Sequence, residues 1–178
     1  MSNLNISPFP ILQTSRLTLR QMQPTDAQQI YDLRQLPEVN KYLSRKEYTN
    51  LEEADEFINF INTGIADKKW LYWVLTLTGK DQLIGTVCLW NFSDSGDVAD
   101  VGYELHPGYQ KQGLMQEALG KVLKFSFQEL QLKEIQAYTH FQNAASAKLL
   151  NKNGFQQTGQ KEDEVIFSLK NPTSSTPE

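Results

Sequence analysis

The sequence predicts an α+β fold in which a mixed, mostly antiparallel central sheet is flanked by helices. Three strand-like segments joined by short polar turns lie in the middle of the chain, which is typical of an antiparallel meander. The apolar period then changes from two residues to the helical spacing at about Gly113. A strand, a long helix and a further strand follow one another there, which indicates a βαβ crossover.

The first half of the chain has one strand and two helices before the meander. Ser15–Met22 alternates apolar and polar residues, and Pro24 suits the first turn of a helix. Thr49-Asn50-Leu51-Glu52 has the spacing of a capping box and precedes an apolar stripe, so a second helix is expected there. The strands of the meander are predicted at residues 70–77, 82–92 and 98–105.

The second half continues the alternation of helices and strands. A helix is expected from about Gly113 to Leu130, and a strand at 134–140 follows it. A helix within 143–155 ends at Gly154, and two strands follow that are joined by a turn near residues 159–164, the last of them at 163–170. The predicted order is therefore β-α-α-β-β-β-α-β-α-β-β.

Composition indicates one globular domain over residues 1–178, with 1–11 and 171–178 expected to be flexible. The net charge of −4 argues against nucleic-acid binding. No apolar run approaches the ~18 residues that a membrane span needs, and no secretory signal is visible. The single cysteine, Cys88, cannot form an internal disulfide. We expect a cytoplasmic monomer or homodimer with neither nucleic-acid nor membrane partners.

The stretch GYQKQGLM at the start of the long helix lacks the usual Ser or Asp cap. The first N–H groups of a helix can instead bind an anion such as a phosphate. Gly113 removes the Cβ that would keep a phosphate away, and Lys111 adds a cation. Gln110 and Gln112 add amide donors. The alternative is a simple Pro-Gly turn with a glycine that allows close packing.

Three segments together resemble the GNAT superfamily of acetyl-CoA-dependent N-acetyltransferases. They are SRLTLR (15–20), GYELHPGYQKQGLMQEAL (102–119) and NAASAKLLNKNGF (143–155). Their order and spacing resemble the ribosomal-protein alanine/serine N-acetyltransferase (RimJ/RimL-like) branch, over roughly residues 12–169. The resemblance implies a GNAT-type sheet, acetyl-CoA as co-substrate and an amine acceptor, either a protein N-terminus or a small molecule.

The resemblance also implies which residues bind acetyl-CoA. By position, these are Leu105 through its backbone, Gln110, Lys111, Gln112, Gly113, Leu114 and Met115 at the pyrophosphate, and Asn143 with Ser146 at the pantetheine arm. Asn143 is equally well placed to cap a helix. Leu150 stands where many members carry a tyrosine that protonates the leaving thiolate. This departure keeps open a non-catalytic acyl-CoA-binding module.

Glu104, in the strand that leads to the loop, is the candidate general base. Asp100 lies on the same face about 13 Å away at ~3.3 Å per residue, so the two carboxylates cannot act as one dyad. Tyr138 and His140 are alternative acid or base candidates. Each has a structural alternative: Glu104 and His140 as surface residues, and Tyr138 as half-buried core.

No metal-ligand pattern is visible in the sequence. The acceptor is expected between residues 43–57 and 159–164, where acidic side chains could receive a cationic amine. The alternative is that these residues are ordinary surface charge.

Overall fold

The computed structural model describes residues 6–172, which form one eight-stranded sheet with helices on both faces. The strands are β1 (Leu12–Gln13), β2 (Leu17–Gln21), β3 (Leu71–Leu77), β4 (Leu83–Trp90), β5 (Val98–Leu105), β6 (Glu134–His140), β7 (Gln156–Lys161) and β8 (Glu164–Lys170). The helices are α1 (Ala27–Gln35), α2 (Pro37–Asn40), α3 (Glu52–Ala66), α4 (Leu114–Gln128) and α5 (Ala144–Lys152). The strand order in the sheet is β1-β2-β3-β4-β5-β6-β8-β7, and only β5 and β6 are parallel. The predicted α+β class is confirmed.

Two short elements were not predicted. β1 has two residues and pairs with β2 through Leu12 and Leu19, and α2 is a single turn that begins at Pro37. Neither is long enough to establish a hydrophobic period. Parts of the expected flexible tails, residues 1–5 and 173–178, lie outside the described residues.

The capping box predicted at the start of α3 is wrong by one residue. Asn50 Oδ1 accepts a hydrogen bond from the Glu53 backbone N–H, and the Glu53 carboxylate accepts one from the Thr49 N–H. Glu53 therefore has the role that the sequence assigned to Glu52. The expected end of α5 is confirmed, because Gly154 adopts φ +87° and Phe155 N–H donates to Leu150 O.

The sheet separates two apolar cores. One lies under α4 and α5 and includes Ala99, Val101 and Leu105 of β5, whereas the other lies under α1 and α3. Side chains alternate across a strand, so Asp100, Gly102 and Glu104 point to the α1/α3 face. No helix within residues 6–172 is both long and apolar enough to cross a membrane.

The parallel strands β5 and β6 pair over only three residues. Val98, Ala99 and Asp100 face Glu134, Ile135 and Gln136. Beyond these pairs, residues 101–105 and 137–140 have no partner in the other strand, and the space between them is the interstrand groove. The crossover helix α4 begins at the end of this groove.

Glu117, in the first turn of α4, ties the helix to the segment before β2. Its carboxylate accepts hydrogen bonds from the Thr14 and Ser15 hydroxyls and from the backbone and side chain of Arg16. Burial by itself would raise the pKa of Glu117, but the hydrogen bonds from Thr14, Arg16 and Ser15 outweigh it and lower the pKa to about 2. This contact fixes where the N-terminus of α4 lies relative to the sheet.

We expect Glu117→Gln to reduce the free energy of unfolding at neutral pH by about 1–3 kcal/mol, because a neutral amide replaces a charged acceptor. Since the folded pKa is depressed from 4.5 to about 2, this stabilisation is present above pH 4.5 and is lost as pH falls through 2. Urea unfolding of both proteins across this range measures the difference. Glu129→Gln, at the exposed end of α4, is the control and should change stability by less than about 0.5 kcal/mol. A difference that is independent of pH would contradict the prediction.

Candidate active site

The turn before α4 presents a row of backbone N–H groups. Gly113 adopts φ +77° and Lys111 φ +61°, so the chain turns sharply into the helix. Among the described residues, none accepts a hydrogen bond from the backbone N–H groups of residues 111–116. Leu114 and Met115 bury their side chains, so only their backbone faces outward. The N-terminus of α4 therefore offers a set of unpaired backbone donors at the positive end of the helix dipole.

The two glutamine side chains of this turn shape it from within. Gln110 Nε2 donates to Leu105 O at 2.9 Å, and Gln112 Nε2 donates to Gly108 O at 3.0 Å. Both amides that the sequence analysis offered as anion donors thus bond to the backbone of the turn itself. The backbone N–H groups remain as the donors that the turn presents.

Arg16 lies beside the same turn, and sequence reasoning gave it no role. Its Nη1 donates to Gln112 O at 3.0 Å, and its Nη2 lies 3.5 Å from the position that a Cβ on Gly113 would take. The two positions are 96 residues apart in sequence, so no local pattern connects them. The only signal was that Arg16 belongs to SRLTLR, one of the three matching segments.

Asn143 and Ser146 lie on the other side of the interstrand groove, at the start of α5. Asn143 Oδ1 accepts a hydrogen bond from Ser146 N at 3.1 Å, which confirms Asn143 as the helix cap. Its amide Nδ2 has no acceptor within residues 6–172. The Ser146 hydroxyl is hydrogen-bonded to the Tyr103 hydroxyl at 2.7 Å, which links α5 to β5. Burial raises the pKa of Tyr103 to about 12, and Leu150 lies in the core.

Glu104 is not a solvated surface residue. Its side chain is 8% exposed, and its Oε2 lies 2.7 Å from Arg45 Nη1. Its Oε1 lies 3.9 Å from Arg34 Nε. Both oxygens therefore face guanidinium groups.

The two arginines connect Glu104 to the helical layer. Arg34 Nη1 donates to the Tyr48 hydroxyl at 2.6 Å, and its guanidinium lies 3.6 Å from the centre of the Phe57 ring. Arg45 Nε donates to Asn40 Oδ1 at 2.8 Å. This ion-pair cluster fixes the segment between α2 and α3 against β5.

The same segment reaches the far side of the interstrand groove. The Tyr42 ring stacks on His140 with ring centres 5.4 Å apart, and the Tyr42 hydroxyl donates to Gln142 O at 3.2 Å. Phe141 also stacks on His140, with ring centres 4.8 Å apart, and its N–H donates to Asp163 O in the β7–β8 turn. Of the two regions expected to frame the acceptor, 43–57 contacts β5 through Arg45, and 159–164 contacts the end of β6 through Asp163.

Asp100 is the second carboxylate on this face and is 4% exposed. Asn91 Nδ2 donates to its Oδ2 at 2.8 Å, and burial raises the pKa of Asp100. Its cross-strand neighbours are Trp90 on β4 and Gln136 on β6. The Tyr138 hydroxyl, also on this face, donates to Gln136 Oε1 at 3.1 Å. Burial, Asp100 and Glu164 raise the pKa of Tyr138.

Comparison with known proteins agrees with this arrangement. The family model for the acetyltransferase (GNAT) domain matches residues 16–156. The uncharacterized N-acetyltransferase YoaA of Bacillus subtilis (strain 168) is 32% identical over 151 residues, which are 85% of each chain.

Solved structures share the fold at lower identity. Mycobacterium smegmatis RimJ, in complex with a CoA-disulfide, has a TM-score of 0.81 at 17% identity, over 94% of this chain and 88% of that one. A ribosomal-protein alanine acetyltransferase of Vibrio fischeri has a TM-score of 0.79 at 21% identity, over 94% of this chain and 100% of that one. With the family match over most of its length, the chain belongs to the GNAT family of acetyl-CoA-dependent N-acetyltransferases.

Proposed function

We propose that this enzyme transfers the acetyl group of acetyl-CoA to a primary amine, by direct attack of the amine nitrogen on the thioester. The observation that carries the proposal is the separation of β5 from β6 beside an uncapped helix start. An extended, amide-containing chain can pair with the edge of β5 while its phosphates reach the N-terminus of α4.

The residues around the groove suit acetyl-CoA. The N–H groups of residues 111–116, with Lys111 and Arg16 beside them, would hold the pyrophosphate. Because Gly113 has no Cβ, a phosphate oxygen can approach the backbone closely. The backbone of Leu105 and the unused amide of Asn143 would hold the pantetheine arm, with Ser146 close by. The bound thioester supplies the activated acetyl group.

Direct attack is favoured over a covalent acetyl-enzyme. Cys88 is the one cysteine of the sequence, and burial raises the pKa of its thiol to about 12. A thiol with that pKa is a poor nucleophile at neutral pH, because the thiolate is the reactive form. Two carboxylates face the acceptor side of the groove and are candidates for the general base: Glu104, which the sequence predicts, and Asp100.

The acceptor is proposed to be a protein N-terminal α-amine, and a small amine is the alternative. The α-amine is supported by the structural likeness to the Vibrio fischeri protein, which is named as a ribosomal-protein alanine acetyltransferase. The test is thiol release from acetyl-CoA with a peptide that has a free N-terminal alanine or serine, compared with spermidine. Stabilisation by acetyl-CoA without acetylation of any amine would instead support a non-catalytic acyl-CoA-binding module.

Two glycines with the same backbone conformation allow a matched test of the phosphate site. Gly113 has φ +77°, and Gly79, in the β3–β4 turn, has φ +78°. Alanine at either position should cost about 1–2 kcal/mol, because a Cβ disfavours this region. Only Gly113→Ala is expected to lose affinity for acetyl-CoA.

Thermal unfolding measures this difference. A ligand at ~100 times its Kd stabilises by about 2.7 kcal/mol. For a chain of this size that corresponds to a rise in Tm of about 5–10 °C. Wild type and Gly79→Ala should show this rise with acetyl-CoA and CoA but not with NAD. An equal rise in the Tm of Gly113→Ala with acetyl-CoA would show that Gly113 does not contribute to the binding site.

Asn143 is expected to cap α5 with its Oδ1 and to bind acetyl-CoA with its Nδ2. Asn143→Asp keeps the oxygen that caps Ser146 N but loses the amide donor, so it should keep its Tm and bind acetyl-CoA more weakly. Asn143→Ala should lose affinity and also about 1 kcal/mol of stability. Titration calorimetry with acetyl-CoA, beside thermal unfolding, separates the two effects. Unchanged affinity in both variants would restrict Asn143 to capping.

A further inference from the structure

Asp100 and Glu104 lie on either side of Gly102 on the α1/α3 face of β5. Cys88 Sγ and Trp90 Nε1 pack over Gly102, because they would lie 3.1 Å and 3.9 Å from a Cβ placed there. Each carboxylate is two residues from Gly102, about 7 Å along the strand at ~3.3 Å per residue. Both carboxylates therefore belong to the strand that lines the interstrand groove.

The two carboxylates differ in their electrostatic partners. Glu104 is held by Arg45 at 2.7 Å and faces Arg34, so a proton on Glu104 would disrupt an existing ion pair. Asp100 is as deeply buried, but its hydrogen-bond partner is the neutral amide of Asn91. In the described part of the chain, no Lys, Arg or His lies within ion-pair distance of Asp100.

A buried carboxylate without a cation is unfavourable when it is ionised, and buried charges in proteins are normally paired. The same loss of solvation raises the pKa of Asp100. Asn91 adopts φ +49°, in the left-handed region, where its amide reaches the carboxylate. Asn91 therefore holds the Asp100 carboxylate in place, and among the described residues this carboxylate has no cationic partner.

Two aromatic residues that are not covered by helices flank Asp100. Trp90 is 48% exposed and lies opposite Asp100 on β4, and Tyr138 is 41% exposed and lies on β6 at the start of the interstrand groove. Aromatic faces attract cations, and ammonium groups are frequently bound by a carboxylate among aromatic rings. The Asp100–Gln136 pair is the last one before β5 and β6 separate, so this cluster lies at the closed end of the groove.

We propose that this closed end takes a protonated primary amine, with Asp100 as the partner of its ammonium group and as the acceptor of its proton, and with Trp90 and Tyr138 as aromatic walls. This inference rests on the proposed function. With phosphates at the start of α4, the thioester end of acetyl-CoA points back along β5 towards Gly102 and Asp100.

The proton balance is complete with these groups alone. The ammonium carries three hydrogens, and Asp100 takes one of them, which leaves a neutral amine with a free electron pair. This pair forms the new N–C bond to the thioester carbonyl carbon, and the C–S bond breaks. The departing sulfur takes the second hydrogen, the amide keeps the third, and Asp100 releases its proton to water.

Other titratable groups also lie on this face. They include Tyr72 on β3, Cys88 on β4, Glu104 on β5 with Arg34 and Arg45 beside it, Glu134, Tyr138 and His140 on β6, Lys161 on β7, and Glu164 and Lys170 on β8. Glu134 accepts hydrogen bonds from Gln136 Nε2 and from the Ser168 hydroxyl, and His140 stacks on the rings of Tyr42 and Phe141. The raised pKa values of Cys88 and Tyr138 keep both groups neutral at neutral pH.

The test is Asp100→Asn, which keeps the shape and removes the base. With acetyl-CoA and spermidine, or the alanine peptide, kcat/KM at neutral pH should fall by about 10²-fold or more. The deficit should shrink as pH rises towards the pKa of the amine, because neutral amine then needs no base. The rise in Tm with acetyl-CoA should be unchanged, because Asp100 lies outside the phosphate and pantetheine contacts.

Two comparisons make the result decisive. Glu104→Gln should keep the wild-type dependence on pH, and Glu129→Gln, an exposed carboxylate at the end of α4, should keep wild-type activity. A deficit in Asp100→Asn that is equal at every pH, or one that depends on pH in Glu104→Gln instead, would overturn the proposal. Failure of wild type to bind acetyl-CoA would count against the proposed function rather than against Asp100.

If wild type binds acetyl-CoA but acetylates neither amine, wild type and Asp100→Asn are compared by their binding of spermidine. Spermidine added in the presence of CoA should raise the Tm of wild type and not that of Asp100→Asn. An equal rise in both would overturn the assignment of Asp100 as the ammonium partner.

Discussion

The molecule is organised around the short pairing of β5 with β6. Backbone N–H and C=O groups require partners, and a strand that leaves its neighbour after three residues has an unpaired edge inside the sheet. The N-terminus of α4 adds further unpaired donors at the end of the same strand. The contacts described above keep this region open: Glu117 fixes α4, and the Tyr103–Ser146 hydrogen bond fixes α5. The site therefore depends on backbone geometry more than on any one side chain.

The ion-pair cluster of Arg34, Arg45 and Glu104 has a structural role that follows from its burial. Removing one member of a buried ion pair leaves an unpaired charge, which is costly, so the cluster holds its segments in one arrangement. Arg45 comes from the irregular segment between α2 and α3, and Arg34 from α1. The cluster thus connects the helical layer to the strand that lines the groove. It also means that both oxygens of Glu104 face arginine side chains.

The sequence predicted the elements well because most of them rest on local periodicity. The meander of β3, β4 and β5 and the helix α4 are long enough for their apolar patterns to be clear. Two-residue β1 and single-turn α2 carry no such pattern, and the cap of α3 moved by one residue because Asn50 and Thr49 are both acceptable caps. The role of Arg16 and the burial of Glu104 depend on contacts between residues far apart in the chain. The charged or neutral partners of a buried carboxylate are visible only in the folded structure, and these partners alone distinguish Asp100 from Glu104.

Cys88 lies under Gly102, next to the place where an acyl-transfer reaction would release a free thiol at every turnover. Disulfide exchange requires a thiolate, and the raised pKa keeps the Cys88 sulfur protonated. In the proposed reaction, the Cys88 thiol would therefore resist forming a mixed disulfide with the CoA product, and its sulfur would act as an apolar floor beneath Gly102.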